Sequence, residues 1–253
     1  MQTFFLRNTQ SDKHSYMLMK NILTTLLAMM MPILTFGQTS HISYGDTLAT
    51  SIYTGQTKII SVLGDSYVRN HKRPYEETWH YKVATINGLD YRNHGRNGGC
   101  VAFDRSKEGF GPSLLVRYQE MEPNSDIVVI IAGHNDAVKI GDDKDKLSQF
   151  KDSALLLIDK IRAHCPNARI GWVSPWWVDH AGFGSVCKVI KAVCKKKKVA
   201  FLNNYSKKSI IKVRDADFRK EYFQSPTDNA HLNAKGHDLF LEVGNKFVRR
   251  LMK

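Results

Sequence analysis

The stretch Asp126–Ala132, DIVVIIA, constrains this chain more than any other. A continuous β-branched run closed by a glycine (Gly133) reads as a strand with no polar face to offer water. Such strands belong to parallel sheets covered on both faces. Parallel strands in turn need long crossover connections, usually helices.

The rest of the chain supplies both. Lys58–Leu63 reads as a buried strand ending at Gly64, and Leu89–Asn93 as a weaker one. Arg169–Val173 and Val199–Asn203 are two more. Between them, Lys146–His164 sets Leu147, Phe150, Ala154, Leu157, Ile158 and Ile161 at helical spacing and stops before Pro166. Val186, Val189, Ile190 and Val193 mark a second helix. A third runs over Ala234–Met252, with Phe240, Val243, Phe247 and Leu251 inward. The alternation predicts an α/β protein: a three-layer α/β/α, doubly wound sandwich around a mostly parallel sheet of about five strands.

In such sheets functional residues gather outside the carboxyl ends of the strands. Three short motifs sit there. Gly64-Asp65-Ser66-Tyr67 follows the first strand, and Asn93-His94-Gly95 opens a glycine-rich loop after the second. Gly133-His134-Asn135-Asp136 follows the third, and Asp228-Asn229-Ala230-His231 precedes the last helix. Ester hydrolysis by a serine needs a nucleophile, a base, an orienter for that base and donors for the oxyanion. These motifs offer a residue for each role.

The four blocks, in this order, resemble those of the SGNH/GDSL hydrolases, over essentially the whole chain past its leader. The resemblance implies the flavodoxin-like SGNH hydrolase fold and ester cleavage without a metal or other cofactor. It implies Ser66 as nucleophile, with the N–H groups of Ser66 and Gly95 and the side-chain amide of Asn135 as oxyanion donors. Gly98 is the alternative donor if the register shifts within the loop. His231 is the expected general base and Asp228 its orienter; their spacing can place both side chains on one side of a loop. Asp65 reads as a structural hydrogen-bonding residue. Tyr67 stands where the family has leucine, a change of packing, and His134 and His237 read as structural or substrate-side.

The first residues have a different character. From Met17 a short basic region with Lys20 leads into an apolar run, Ile22–Phe36, broken by Pro32 and followed by Gly37. The run is shorter than the ~20 apolar residues of a membrane span and fits a secretory signal peptide cleaved near Gly37. Translation starting at Met17 or Met19 would account for the polar stretch Met1–Tyr16. The expected organisation is therefore a leader and signal over 1–37, an arm over 38–56 and a hydrolase domain over 57–253. No later segment could span a membrane.

Export would permit disulfides. Yet Cys187 and Cys194 stand two turns apart on the second helix, ~10 Å, beyond the reach of a bridge. For these and for Cys100 and Cys165, buried thiols are at least as good a reading, and no cysteine has metal-type spacing. The chain carries 37 Lys+Arg against 24 Asp+Glu, a net charge of +13. Much of the excess lies in Lys188, Lys191, Lys195–Lys198, Lys207, Lys208 and Lys212. Without interleaved aromatic residues these read as a solvated helix end, and no nucleic-acid partner is expected.

Export, together with Trp176-Trp177 just past the fourth strand, points to carbohydrate, since aromatic faces at a site's mouth can stack on sugars. The expected function is a secreted esterase removing O-acyl, foremost O-acetyl, groups from carbohydrate through an acyl-enzyme. A lipid esterase or lysophospholipase of the same fold and a non-catalytic glycan-binding module are the competing readings. The absence of a long apolar lid segment near the motifs weighs against the lipid enzyme.

Overall fold

Asp126–Ala132 supplies the central strand β3 (Ile127–Ile131), buried at every residue, in a computed structural model that describes residues 57–253. With β1 (Ile59–Gly64), β2 (Asp90–Gly95), β4 (Arg169–Val173) and β5 (Ala200–Leu202) it forms an all-parallel, five-stranded sheet ordered β2-β1-β3-β4-β5. Each strand lies at or within two residues of its expected span. The central strands β1, β3 and β4 are buried along almost their whole length, whereas β2 and β5 are half-exposed edges. That is why β2 can read DYRNHG, a sequence no central strand could carry.

Register sets the rim of the sheet. Gly64 pairs with both Gly95 and Ile131, and Ile131 with Val173, so four strands end level with one another. Chain order reverses between β1 and β3, the switch point where open α/β sheets place their ligands.

The helices are α1 (Ser66–Arg69), α2 (Trp79–Ile86), α3 (Leu114–Arg117), α4 (His134–Ile140), α5 (Lys144–His164), α6 (Phe183–Lys196), α7 (Ala216–Tyr222) and α8 (Ala234–Leu251). The β1-to-β2 crossover travels one way along the sheet and β3-to-β4-to-β5 the other. With a common right hand, their helices fall on opposite faces. Accordingly α2 packs with α8, α5 packs with α6, and α8 also reaches β4.

Caps explain the boundaries. α5 begins at Lys144 rather than Lys146 because Asp143 accepts the N–H groups of Asp145 and Lys146 at 3.0 Å. Asn233 caps α8 through Gly236 N–H at 3.0 Å. Of the five helices that the sequence pattern does not predict, α1, α3 and α4 span seven residues or fewer, too short to show a period. α2 buries His80 beside Trp79, Val83 and Ala84, so a polar residue hides its period. α7 buries no residue and rests on its Asp215 cap, which leaves no apolar pattern to read.

The four cysteines are buried free thiols. Among the described residues no helix is long and apolar enough to cross a membrane. The signal segment expected over 1–37 and the arm expected over 38–56 lie outside the described residues. The fully buried Phe247 belongs to the α8 face that covers β4. Phe247→Ala should cost ~3–5 kcal/mol of unfolding free energy in urea titration; a loss below ~1 kcal/mol would mean that α8 is not anchored through this ring.

Candidate active site

The turn after β1 is built around a buried carboxylate. Asp65 caps α1, its Oδ1 accepting the Tyr67 N–H at 2.9 Å, and this puts Ser66 at the first position of α1. Among the described residues the Ser66 N–H has no acceptor, as expected of a first-turn amide. Asp65 is fully buried, and burial pushes its carboxyl up to about 7, opposed by the Tyr67 N–H and by the nearby His231.

The structure brings Ser66, His231 and Asp228 into one hydrogen-bonded line. Ser66 Oγ lies 2.9 Å from His231 Nε2, and His231 Nδ1 lies 2.9 Å from Asp228 Oδ2. A carboxylate can only accept, so the proton sits on Nδ1 and Nε2 faces the serine as an acceptor. Asp228 Oδ1 accepts the N–H groups of Ala230 and His231 at 2.8 and 3.0 Å, fixing the loop that carries the imidazole. Burial would raise the Asp228 carboxyl. The side-chain and backbone N–H groups of His231 outweigh it and hold it below the ordinary carboxylate value. The line of groups can therefore take a proton from Oγ and stabilise the resulting imidazolium.

On the other side of Ser66 the structure revises one expectation. The Gly95 N–H, expected to face an oxyanion, donates instead to Asn93 Oδ1 at 2.9 Å. Gly95 is glycine for another reason: a Cβ there would run into the backbone of Val68 and Arg69 in α1. Gly98 is the better candidate, since its N–H has no acceptor among the described residues. Its loop is tied to Asn135, whose Nδ2 donates to the Gly99 carbonyl at 3.1 Å. The approach of the same nitrogen to Asp65 Oδ2, 3.5 Å, is beyond an ordinary hydrogen bond, which leaves that proton free for a bound oxygen.

Two buried groups that the motif reading did not assign hold this rim together. Asp136 accepts the N–H groups of Val101 and Ala102 at 2.9 and 3.0 Å, pinning the second loop to the third. Arg117 donates to the carbonyls of Gly64 at 3.2 Å and His94 at 2.6 Å, joining the ends of β1 and β2. Nothing in the sequence around Arg117 announces this, because its partners are carbonyls and carry no residue signature.

Behind the imidazole lies an aromatic wall. Tyr67 stacks on Trp176 at 5.2 Å, stands edge-on to His231 at 6.4 Å and shares a 2.9 Å hydrogen bond with His134 Nδ1. Trp176 is 3 % exposed and its indole N–H donates to the Ala230 carbonyl at 2.9 Å. It is thus a support for the His231 loop and not the sugar platform expected of it. Trp177, half-buried, faces a separate groove with Arg214 at 5.0 Å from its ring centroid. His237 is buried between the Trp79 N–H and Asn70, a structural role. His71, which no motif marked, stacks on His231 at 4.7 Å.

Beside His231 and Asp228 lies an open cleft of about 560 Å³, bordered also by His71, Lys72, His134, Gln224, Ser225 and Asn229. Behind it, the space among Ser66, Tyr67, Trp176 and Leu232 is only about 10 Å³, room for one water at most. Among the described residues no group of His, Cys, Asp and Glu could hold a metal ion.

The buried carboxylates carry a testable signature. Asp65 is raised to about 7 and Asp136 to about 6, chiefly by burial. In the unfolded chain both return to ~3.9. Between these values the folded state binds more protons than the unfolded one, so these groups make stability fall as pH rises. In Asp65→Asn the drop in urea midpoint from about pH 5 to about pH 7.5 should be smaller than in the wild type. An unchanged drop would mean that Asp65 is ionised throughout.

Comparison with known proteins agrees with this architecture. Residues 62–239 match the GDSL-like lipase/acylhydrolase family. No curated protein sequence matches the chain. Among solved structures it is similar to an acetyl xylan esterase, at 15% identity and TM-score 0.56, covering 76% of this chain and 98% of that one. It is also similar to a family two carbohydrate esterase from Clostridium thermocellum, at 14% identity and TM-score 0.57, covering 77% and 64% respectively. A GDSL-like lipase of Bacteroides uniformis aligns at 19% identity and TM-score 0.55, over 77% and 96%. The match over most of the chain, on a sheet that carries three of the motifs at one rim with the fourth brought against Ser66 by a loop, makes this protein a member of the GDSL-like lipase/acylhydrolase family, a serine ester hydrolase.

Proposed function

We propose that the chain is an exported esterase that removes O-acyl, foremost O-acetyl, groups from carbohydrate through an acyl-enzyme on Ser66. The observation that carries it is the unbroken line Ser66–His231–Asp228 at the edge of an open, polar cleft.

His231 Nε2 takes the Oγ proton as Ser66 attacks the ester carbonyl carbon. The oxygen then gains a negative charge, met by the N–H groups of Ser66 and Gly98 and by Asn135 Nδ2. As the tetrahedral carbon collapses, the imidazolium passes its proton to the leaving sugar oxygen. Water, deprotonated by His231, then attacks the acyl-enzyme and releases the carboxylic acid and Ser66. Asp228, held ionised, balances the imidazolium in both halves.

Small acyl groups and polar alcohols fit the surroundings. The void behind Ser66 is too small for a long chain, and the open side is bordered by histidine, lysine, amide and hydroxyl groups. The carbohydrate-esterase names of two fold neighbours accord with this reading. The Lys20 and Ile22–Phe36 pattern supports export.

The purified protein should hydrolyse p-nitrophenyl acetate far faster than the octanoate ester, with turnover falling at least ~10⁴-fold in Ser66→Ala. Asn135→Ala should cost ~10²–10³ in kcat. Octanoate preference would move the assignment to lipid esters. Absence of Ser66-dependent turnover on either ester, with retained glycan binding, would favour a binding module. For export, N-terminal sequencing of protein from the cell envelope or medium should begin near Gln38; an intact leader on cytoplasmic protein would overturn that part.

A further inference from the structure

The lysines of this chain divide between the two ends of the sheet. Lys195 and Lys196 end α6 and precede β5, so with Lys197 and Lys198 they stand at the amino ends of the strands, away from Ser66. Lys197 is paired with Asp159 at 2.6 Å. Lys207 and Lys212 follow β5 and so emerge at its carboxyl end, the end of the sheet that carries Ser66. There they line an open groove of about 500 Å³ with Trp177 and Arg214, floored by the buried Ile211 and Val213.

This groove lies beside the candidate active site. A recess of about 350 Å³ shares Val213 and Arg214 with it, and shares Thr227 and Asn229 with the cleft of His231 and Asp228. Cleft, recess and groove therefore follow one another as a trough from the loop of Asp228 and His231 to Trp177. A small ester needs only the first cleft; the rest has a use only for a longer substrate.

The chemistry of the far end is specific. An aromatic ring beside aliphatic side chains offers a surface for the C–H face of a pyranose, with polar groups around it for hydroxyls. The carboxylates in the trough are already engaged. Asp179 pairs with Arg214 at 3.1 Å, and Asp215 accepts the N–H groups of Asp217 and Phe218. Lys212 Nζ meets only the Lys207 carbonyl, at 3.1 Å, among the described residues. Asp215 aside, which caps α7 and meets no cation, the charge left unpaired in the groove is the pair of lysines, placed where a ring carboxylate of a sugar on Trp177 would need a partner.

We propose that this trough is a distal subsite for an anionic, uronate-bearing oligosaccharide whose acylated sugar lies at Ser66. It deepens the carbohydrate-esterase reading and rests on it for the placement of the acylated sugar.

Calorimetric titration of the full-length protein with unacylated tetragalacturonate and neutral xylotetraose tests the subsite without any turnover. Tetragalacturonate should bind more tightly and lose affinity between ~50 mM and ~0.5 M salt. Lys207→Gln with Lys212→Gln, both at exposed positions, should weaken it by ~10-fold or more, the scale of a lost charge-assisted hydrogen bond. Trp177→Ala should weaken both sugars. Equal, salt-insensitive binding of the two sugars, or unchanged uronate affinity in the double lysine variant, would overturn the proposal. Uronate binding without Ser66-dependent acetate turnover would remove the esterase reading and leave the subsite standing. Turnover without uronate binding would remove the subsite alone.

Discussion

Parallel pairing of β1 with β3 is the constraint on which the rest of this molecule depends. Ser66 follows one strand and Asn135 the other, and the register of Gly64 with Ile131 brings the two strand ends level. The pairing is secured by burial, since both strands are apolar along nearly all their length and would be costly to expose. β2, the other neighbour of β1, then delivers the 96–99 loop to the same rim. His231 has no such strand to place it. Its loop is held by the Trp176 indole on the Ala230 carbonyl, by Asp228 on two backbone N–H groups, and by Gln224 N–H on the His231 carbonyl at 2.9 Å.

The rim is tied by polar groups that would be expensive if left unpaired. Asp65 and Asp136 are fully buried, each answered by backbone N–H groups, and Arg117 reaches two strand-end carbonyls. Asp136 and Arg117 link the loop of one motif to another, while Asp65 fixes the turn that carries Ser66. In a low-dielectric setting, buried hydrogen bonds of this kind fix geometry more sharply than apolar packing does. Oxyanion donors must be in place before charge develops, and such a network is a direct way to hold them there.

Family likeness and local geometry part company at two places. In the second block both Gly95 and Gly98 stand near where the family has its glycine. Only hydrogen-bond accounting separates them, because Asn93 consumes the Gly95 N–H. In the tryptophan pair, adjacent residues of the loop after β4 meet different surroundings: Trp176 supports the His231 loop while Trp177 faces the groove. The lysine-rich region divides in the same manner, a helix end at one rim and a groove lining at the other.

The sequence by itself determined the sheet, its parallel sense, the three long helices and the chemical residues Ser66, Asn135, Asp228 and His231. It could do so because buried strands and amphipathic helices write their periods into the order of residues, and the four short blocks resemble those of a known family. Five helices escaped: α1, α3 and α4 are too short to show a period, α2 buries a histidine and α7 buries nothing. Tertiary structure alone decided which glycine offers its N–H, which tryptophan faces outward, what Arg117 joins and which lysines share the rim of the active site. Each of these rests on how the folded backbone and the segments around it meet, often through backbone groups that every residue carries alike, and so leaves little mark in the order of side chains.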